Sequence, residues 1–113
     1  MGIIAEQWLV GESVQLPVQR LSGLHGALGV FACGVPGRAA ALRFPRCRSV
    51  HGMFLREPLD VLFVDRDGAV LRVTRLEPWR VVYCPGAAET FELRAGEASR
   101  LAITPGTRMK NIC

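Results

Sequence analysis

Leu59-Asp60-Val61-Leu62-Phe63-Val64, followed by Asp65-Arg66-Asp67-Gly68 and then by Ala69 to Leu76, is the stretch whose reading decides the fold. The first six residues are β-branched, aromatic or aliphatic except Asp60, and Pro58 stands in front of them. A near-continuous apolar run of this length is a strand covered on both faces. Asp65-Arg66-Asp67-Gly68 is a hairpin turn, with glycine where the backbone needs a positive φ. The returning strand, Ala69–Leu76, alternates; its reading puts Leu71 and Val73 inward and Arg72 and Thr74 outward.

Upstream of this hairpin, Cys47-Arg48-Ser49-Val50-His51 alternates as a strand, and Ala39–Phe44 is a short apolar strand closed by Pro45. Leu21, Leu24, Leu28 and Phe31 recur at helical spacing, which predicts a helix over Leu21–Cys33 despite Gly23, Gly26 and Gly29. Gly34-Val35-Pro36-Gly37 ends it. Val14–Val18 alternates, and Pro17, which cannot donate to a ladder, predicts an edge strand there. One more strand is read at Ala5–Val10, stopped by Gly11. Downstream, a loop at Glu77-Pro78-Trp79 leads to Val81–Tyr83, with Trp79 read as a core or rim anchor and, as the alternative, a ligand platform. Thr90–Leu93 follows as a strand, then a short helix over Glu97–Ala102 and a final strand at Thr107–Met109. These elements predict an α+β, mainly β fold: a small, partly closed barrel of about six to eight short strands with one or two helices.

The 113 residues are read as a single domain, 1–113, and half of them are apolar, enough for a core that needs neither metal nor crosslinks. The net charge of +4 comes from arginine, with Lys110 the lone lysine. Arg38, Arg43, Arg46 and Arg48 lie close together, but Phe44 is the only aromatic residue among them and acidic residues follow. Nucleic acid is therefore not an expected partner. The first residues lack the basic region and apolar run of a signal peptide, Glu6 departs from the myristoylation pattern, and no stretch approaches the length of a membrane span. The expectation is a cytoplasmic protein without membrane contact. In that compartment Cys33, Cys47, Cys84 and Cys113 are read as free or functional thiols, not as a disulfide frame.

Chemical motifs are sparse. On a strand, Cys47 and His51 are about 13 Å apart along the backbone, beyond the reach of a nucleophile–base pair. The four cysteines lack the close pairing of a structural zinc site. Asp65-x-Asp67-Gly68 has its glycine at the wrong place for a calcium loop. A redox pair of Cys47 with Cys84 would need their Cα atoms within about 7 Å, which a sequence does not decide. Asp60, a polar residue inside the best strand, calls for a partner, and Arg56 is the nearest cation.

Residues Ala39–Met109 resemble the family known as domain of unknown function 192, in a branch that carries Cys-Arg-Ser-Val-His and Arg-x-Pro-[Ile/Leu]-Asp runs, and a looser likeness over Leu21–Leu28 extends the resemblance to roughly residues 20–109. The matching residues are Cys47-Arg48-Ser49-Val50-His51 and Arg56-Glu57-Pro58-Leu59-Asp60, then Phe63–Gly68, Pro78-Trp79-Arg80, Cys84, Gly86-Ala87, Ala95–Leu101 and Pro105-Gly106. Between His51 and Arg56 the branch usually carries Thr-Phe-Gly-Met, whereas this chain has Gly52-Met53-Phe54-Leu55. The resemblance implies a fold and a place for a site, but no chemistry. The residues themselves place Cys47, Ser49 and His51 on one face of a strand, with Arg56, Asp60 and Cys84 as further candidates around a ligand-binding cleft. Arg56 would offer a planar cationic fork to a carboxylate or phosphate. The expected function is a small binding or accessory module for an anionic ligand or a protein partner, without cofactor or metal. The alternative is a small thiol- or histidine-dependent enzyme that uses the same cleft.

Overall fold

The run Leu59–Val64 forms a strand in which all six residues are buried. The computed structural model describes residues 3–21 and 40–112. In chain order the described elements are β1 (Ile3–Val10), β2 (Val14–Leu21), β3 (Ala41–Pro45), β4 (Ser49–His51), β5 (Leu59–Val64), β6 (Val70–Leu76), β7 (Val81–Tyr83), β8 (Glu89–Arg94), a single-turn helix α1 (Glu97–Arg100) and β9 (Met109–Asn111). Seven strands make one curled sheet in the order β6-β5-β8-β3-β2-β1-β9, while β4 and β7 form a separate pair. Neighbours in the large sheet are antiparallel except β2 and β3, which run parallel. At one end the sheet closes on itself: Ala69 bridges Arg108, Val70 N–H donates to Thr107 O, and Met109 N–H donates to Gly68 O. The fold is the mainly β, partly closed barrel expected.

Both faces of the sheet are covered, which is why β5 reads as unbroken apolar sequence. Leu62 and Val64 point into a cluster with Trp8, Leu16, Val18, Phe91, Leu93 and Ile103. Leu59, Val61 and Phe63 point the other way, into a cluster with Leu42, Val50, Leu55 and Leu76.

The Asp65–Gly68 turn is as expected. Gly68 sits at φ 85 and its N–H donates to Asp65 O. Asp65 Oδ1 accepts from the amides of Asp67 and Ala69, so the turn aspartate is occupied by its own backbone.

Several expectations need correction. Pro17 lies within the sheet, not at an edge, because β2 has β1 on one side and β3 on the other. Its carbonyl accepts from Ala40 N–H, and a strand residue's N and C=O point to the same side. The missing donor therefore faces the start of the short β2–β3 ladder, at Val18–Ala41, and costs β1 nothing. Leu71 is not inward but 39% exposed. The register jumps from Val64↔Val70 to Phe63↔Arg72, so Leu71 is the extra residue of a β-bulge. The jump resets the alternation and puts both Val70 and Val73 on the first cluster. Cys47 lies outside β4, which begins at Ser49. The final strand is Met109–Asn111, two residues later than read. Leu21 closes β2, and the rest of the expected helix over Leu21–Cys33 lies outside the described residues.

Candidate functional site

The segment from Cys47 to Asp60 runs along β4 and a loop into β5. Arg46, at φ 56, turns the chain out of β3, so Cys47 is set off from the strand that follows. Its carbonyl accepts from Thr90 Oγ1 at 2.7 Å, and its thiol donates to Ser49 O at 3.0 Å. Cys47 and Cys84 are free, half-buried, and packed against the second core cluster. Cys84 N–H donates to Arg48 O, which places Cys84 across from Arg48, one position out of step with Cys47.

Directly opposed residues of an antiparallel pair share a face. Ser49 lies opposite Tyr83, His51 opposite Val81, and Val50 opposite Val82. Val50 and Val82 pack inward, so Ser49, His51, Val81 and Tyr83 form the outer face. Of the expected one-sided trio, Ser49 and His51 stay together and Cys47 turns beneath them. Arg56 is exposed on the loop after β4.

Asp60 goes elsewhere. It follows the alternation of Leu62 and Val64 toward the first cluster, the opposite side of the sheet from the two thiols. Asp60 Oδ2 accepts from the amides of Gly96 and Ala98, each at 3.0 Å. These are donors at the start of α1 that lack a partner inside the helix, so the carboxylate of β5 caps α1. No ion pair joins Asp60 to Arg56 among the described residues. The buried carboxylate is satisfied by backbone amides instead, and the expected pairing is replaced.

The surface beside Ser49 and His51 contains, besides Trp79, apolar residues that sequence reasoning passed over. Val81 is 65% exposed, Trp79 60% and Tyr83 55%, and Phe54 and Met53 are exposed as well. Trp79 was read as an anchor; its ring instead meets Phe54 edge to face, with centroids 4.8 Å apart, outside the core. Both aromatics are held in the left-handed region, Phe54 at φ 65 and Trp79 at φ 66. Gly52 explains how. Its N–H donates to Arg80 O, and its carbonyl accepts from Trp79 and Leu55 N–H at 2.7 and 3.2 Å. A β-carbon at position 52 would lie 2.5 Å from Glu77 O. Glycine at this position lets the 77–80 loop lie directly on the chain. Arg72 Nη1 reaches across from β6 to Tyr83 O at 3.1 Å. The overlooked signal was local: Met53-Phe54 and Pro78-Trp79 fall in loops, where no alternation can bury large side chains.

Two further polar features bound the chemistry. Glu6 is buried, and it accepts from Trp8 Nε1 at 3.0 Å and from Arg43 Nη1 at 3.2 Å through both oxygens. Arg43 also pairs with Glu89 and lies over the Trp8 ring. This network is closed on itself and holds β1, β3 and β8 together. Glu92, in contrast, is 1% exposed between Leu42 and Val61, and its Oε1 has no hydrogen-bond partner. Burial pushes its carboxyl up to about 8. Among the described residues no three His, Cys, Asp or Glu side chains gather as metal ligands. No helix among them is long and apolar enough to cross a membrane.

Comparison with known proteins gives a family and a fold. The profile of domain of unknown function 192, described as Uncharacterized ACR, COG1430, matches residues 13–111. UPF0127 protein PH1112 of Pyrococcus horikoshii is 37% identical over 57 residues, 50% of this chain and 49% of that protein. UPF0127 protein PF1050 of Pyrococcus furiosus is 34% identical over 64 residues, 55% of this chain and 54% of that protein. The matched segment thus spans about half the length of these curated relatives. A crystal structure of a proposed transcription regulator from Sinorhizobium meliloti 1021 superposes with a TM-score of 0.84 at 20% identity, covering 98% of this chain and 96% of that one. A protein of unknown function from Novosphingobium aromaticivorans superposes with a TM-score of 0.78 at 19% identity, covering 94% and 84%. At these identities the likeness is one of fold. With the profile matched over nearly its whole length, the chain belongs to the uncharacterised family of domain of unknown function 192.

Proposed function

We propose that this chain is a non-catalytic binding module, a single cytoplasmic folding unit whose recognition surface is the outer face of β4 and β7 with the Phe54–Trp79 pair at its end. The observation that carries the reading is that pair. Two neighbouring aromatic residues are exposed, and both are held at positive φ. Left-handed backbone costs a non-glycine residue on the order of 1–2 kcal/mol, and such strain persists where a binding surface uses it. Exposed apolar rings rimmed by charge are the composition of interaction sites.

Of the six candidate residues, Ser49, His51 and Arg56 border this surface. Cys47 and Cys84 pack under it as uncrosslinked thiols, which suits a reducing compartment. Asp60 is used by α1. Binding is favoured over a thiol- or histidine-dependent enzyme because the Cys47 thiol is engaged by Ser49 O.

Tryptophan fluorescence tests the proposal directly. Trp8 is buried and Trp79 is exposed, so iodide should quench Trp79 and spare Trp8. A ligand that raises the melting temperature should also shield Trp79 from iodide. A stabilising ligand that leaves Trp79 as quenchable as before would overturn the assignment of this surface.

A further inference from the structure

We infer that the partner of this surface is an acidic segment of another protein that carries aromatic or aliphatic side chains between its carboxylates. The inference rests on the recognition face proposed above and names what occupies it.

Charge is the first argument. Arg56 and Arg80 are exposed on the loops that carry the aromatic pair, and Arg72 reaches over from β6 to Tyr83 O. None of these three forms an ion pair among the described residues, although arginines elsewhere in the chain do. Glu57 and Glu77 are the acidic residues of the same loops, so arginine outnumbers them. Guanidinium groups are weakly hydrated and take carboxylates in a planar fork, so they suit an acidic partner that also displaces water.

Apolar content is the second argument. Val81 and Tyr83 stand side by side along β7, Trp79 precedes them, and Phe54 packs on Trp79. Trp, Tyr and Arg dominate the energetics of protein interfaces. A free carboxylate or phosphate would use the arginines and leave this apolar area bare. A peptide covers both.

The other occupants fit less well. Single-stranded nucleic acid stacks on ring faces that stand free and spaced, but here Phe54 and Trp79 meet at 65°, each occupying part of the other. A second copy would place the same arginine-rich patch against itself. Tyr83 O is already taken by Arg72, so the partner rests on side chains and does not extend β7.

The test is selection of a phage-displayed library of random linear peptides on the full chain, with recovered peptides then measured by fluorescence anisotropy. Trp79→Gly removes the ring at a position where glycine suits the backbone, so the fold survives; Tyr83→Ala serves as an independent second variant. Enriched peptides should combine Asp or Glu with aromatic or aliphatic residues. Their affinity should fall more than about tenfold in Trp79→Gly and about tenfold in Arg80→Glu, and it should weaken with added salt. Peptides that need Trp79 but are not acidic, and that ignore salt and Arg80→Glu, would overturn the acidic partner and leave the recognition face standing. Peptides indifferent to both Trp79→Gly and Tyr83→Ala would remove the face and the inference together. Absence of any enriched peptide overturns the inference. In that case a thymidine oligonucleotide that binds through Trp79, or a dimer broken by Trp79→Gly, would identify the occupant that replaces it.

Discussion

Replacing Glu92 by glutamine should change the pH dependence of stability more than any other single substitution in the sheet. Glu92 sits on β8 between Leu42 and Val61, 1% exposed, with one carboxyl oxygen unpaired. Burial raises its pKa from the ordinary 4.5 to about 8. Between those values the folded protein keeps the proton and the unfolded chain has lost it, so unfolding releases a proton. Raising the pH therefore favours unfolding. The destabilisation is absent below about pH 4.5, grows as pH rises, and is complete above about pH 8. At about 1.4 kcal/mol for each pH unit, it reaches about 3 kcal/mol at pH 7 and about 5 kcal/mol above pH 8. Glutamine has nearly the same shape and does not titrate. Urea unfolding followed by fluorescence, at intervals from pH 5 to 9, should give nearly equal stabilities for both proteins at the acid end. The variant should then be increasingly the more stable one toward pH 9. Parallel stability profiles for the two proteins would refute the reasoning, because they would mean that Glu92 titrates alike in the folded and unfolded chain.

Gly68→Ala should destabilise the fold by about 2–3 kcal/mol in thermal or urea unfolding, since it adds left-handed strain and a β-carbon pressed on Met109 O. Asp67→Asn in the same turn should stay within about 0.5 kcal/mol, because it is the Asp65 carboxylate that holds the turn. Asp60→Ala should cost about 1–2 kcal/mol and raise amide exchange at Gly96 and Ala98, whereas Arg56→Ala should leave both unchanged. Trp79→Gly should raise stability by about 1 kcal/mol while removing binding, and a variant that melts lower would show that the ring supports the fold.

Local patterns made the central hairpin legible. The apolar run of β5 and the Asp65–Gly68 turn depend on neighbours within a few residues, so alternation and turn chemistry reach the right answer. The candidate site was legible only in part. Ser49 and His51 share the outer face because alternation holds within β4. Cys47 left that face because the backbone reverses at Arg46, a dihedral that no residue type announces.

What the chain determined by itself was therefore the strand content, the two-faced burial of β5 and the position of its turn, since these follow from side-chain periodicity and from glycine's access to positive φ. Tertiary structure decided the rest, because each remaining assignment depends on which distant segment arrives alongside. Pro17 became interior when β3 docked in parallel on β2. Asp60 found its partners 36 and 38 residues away, in amides that exist as donors only once α1 has formed. Glu92, one polar letter in Thr90-Phe91-Glu92-Leu93, lost its water because β3 and β5 closed on both sides of β8. Trp79 stayed in solvent because Gly52 let a loop lie flat where a side chain would have stood, a contact between segments that no local period encodes.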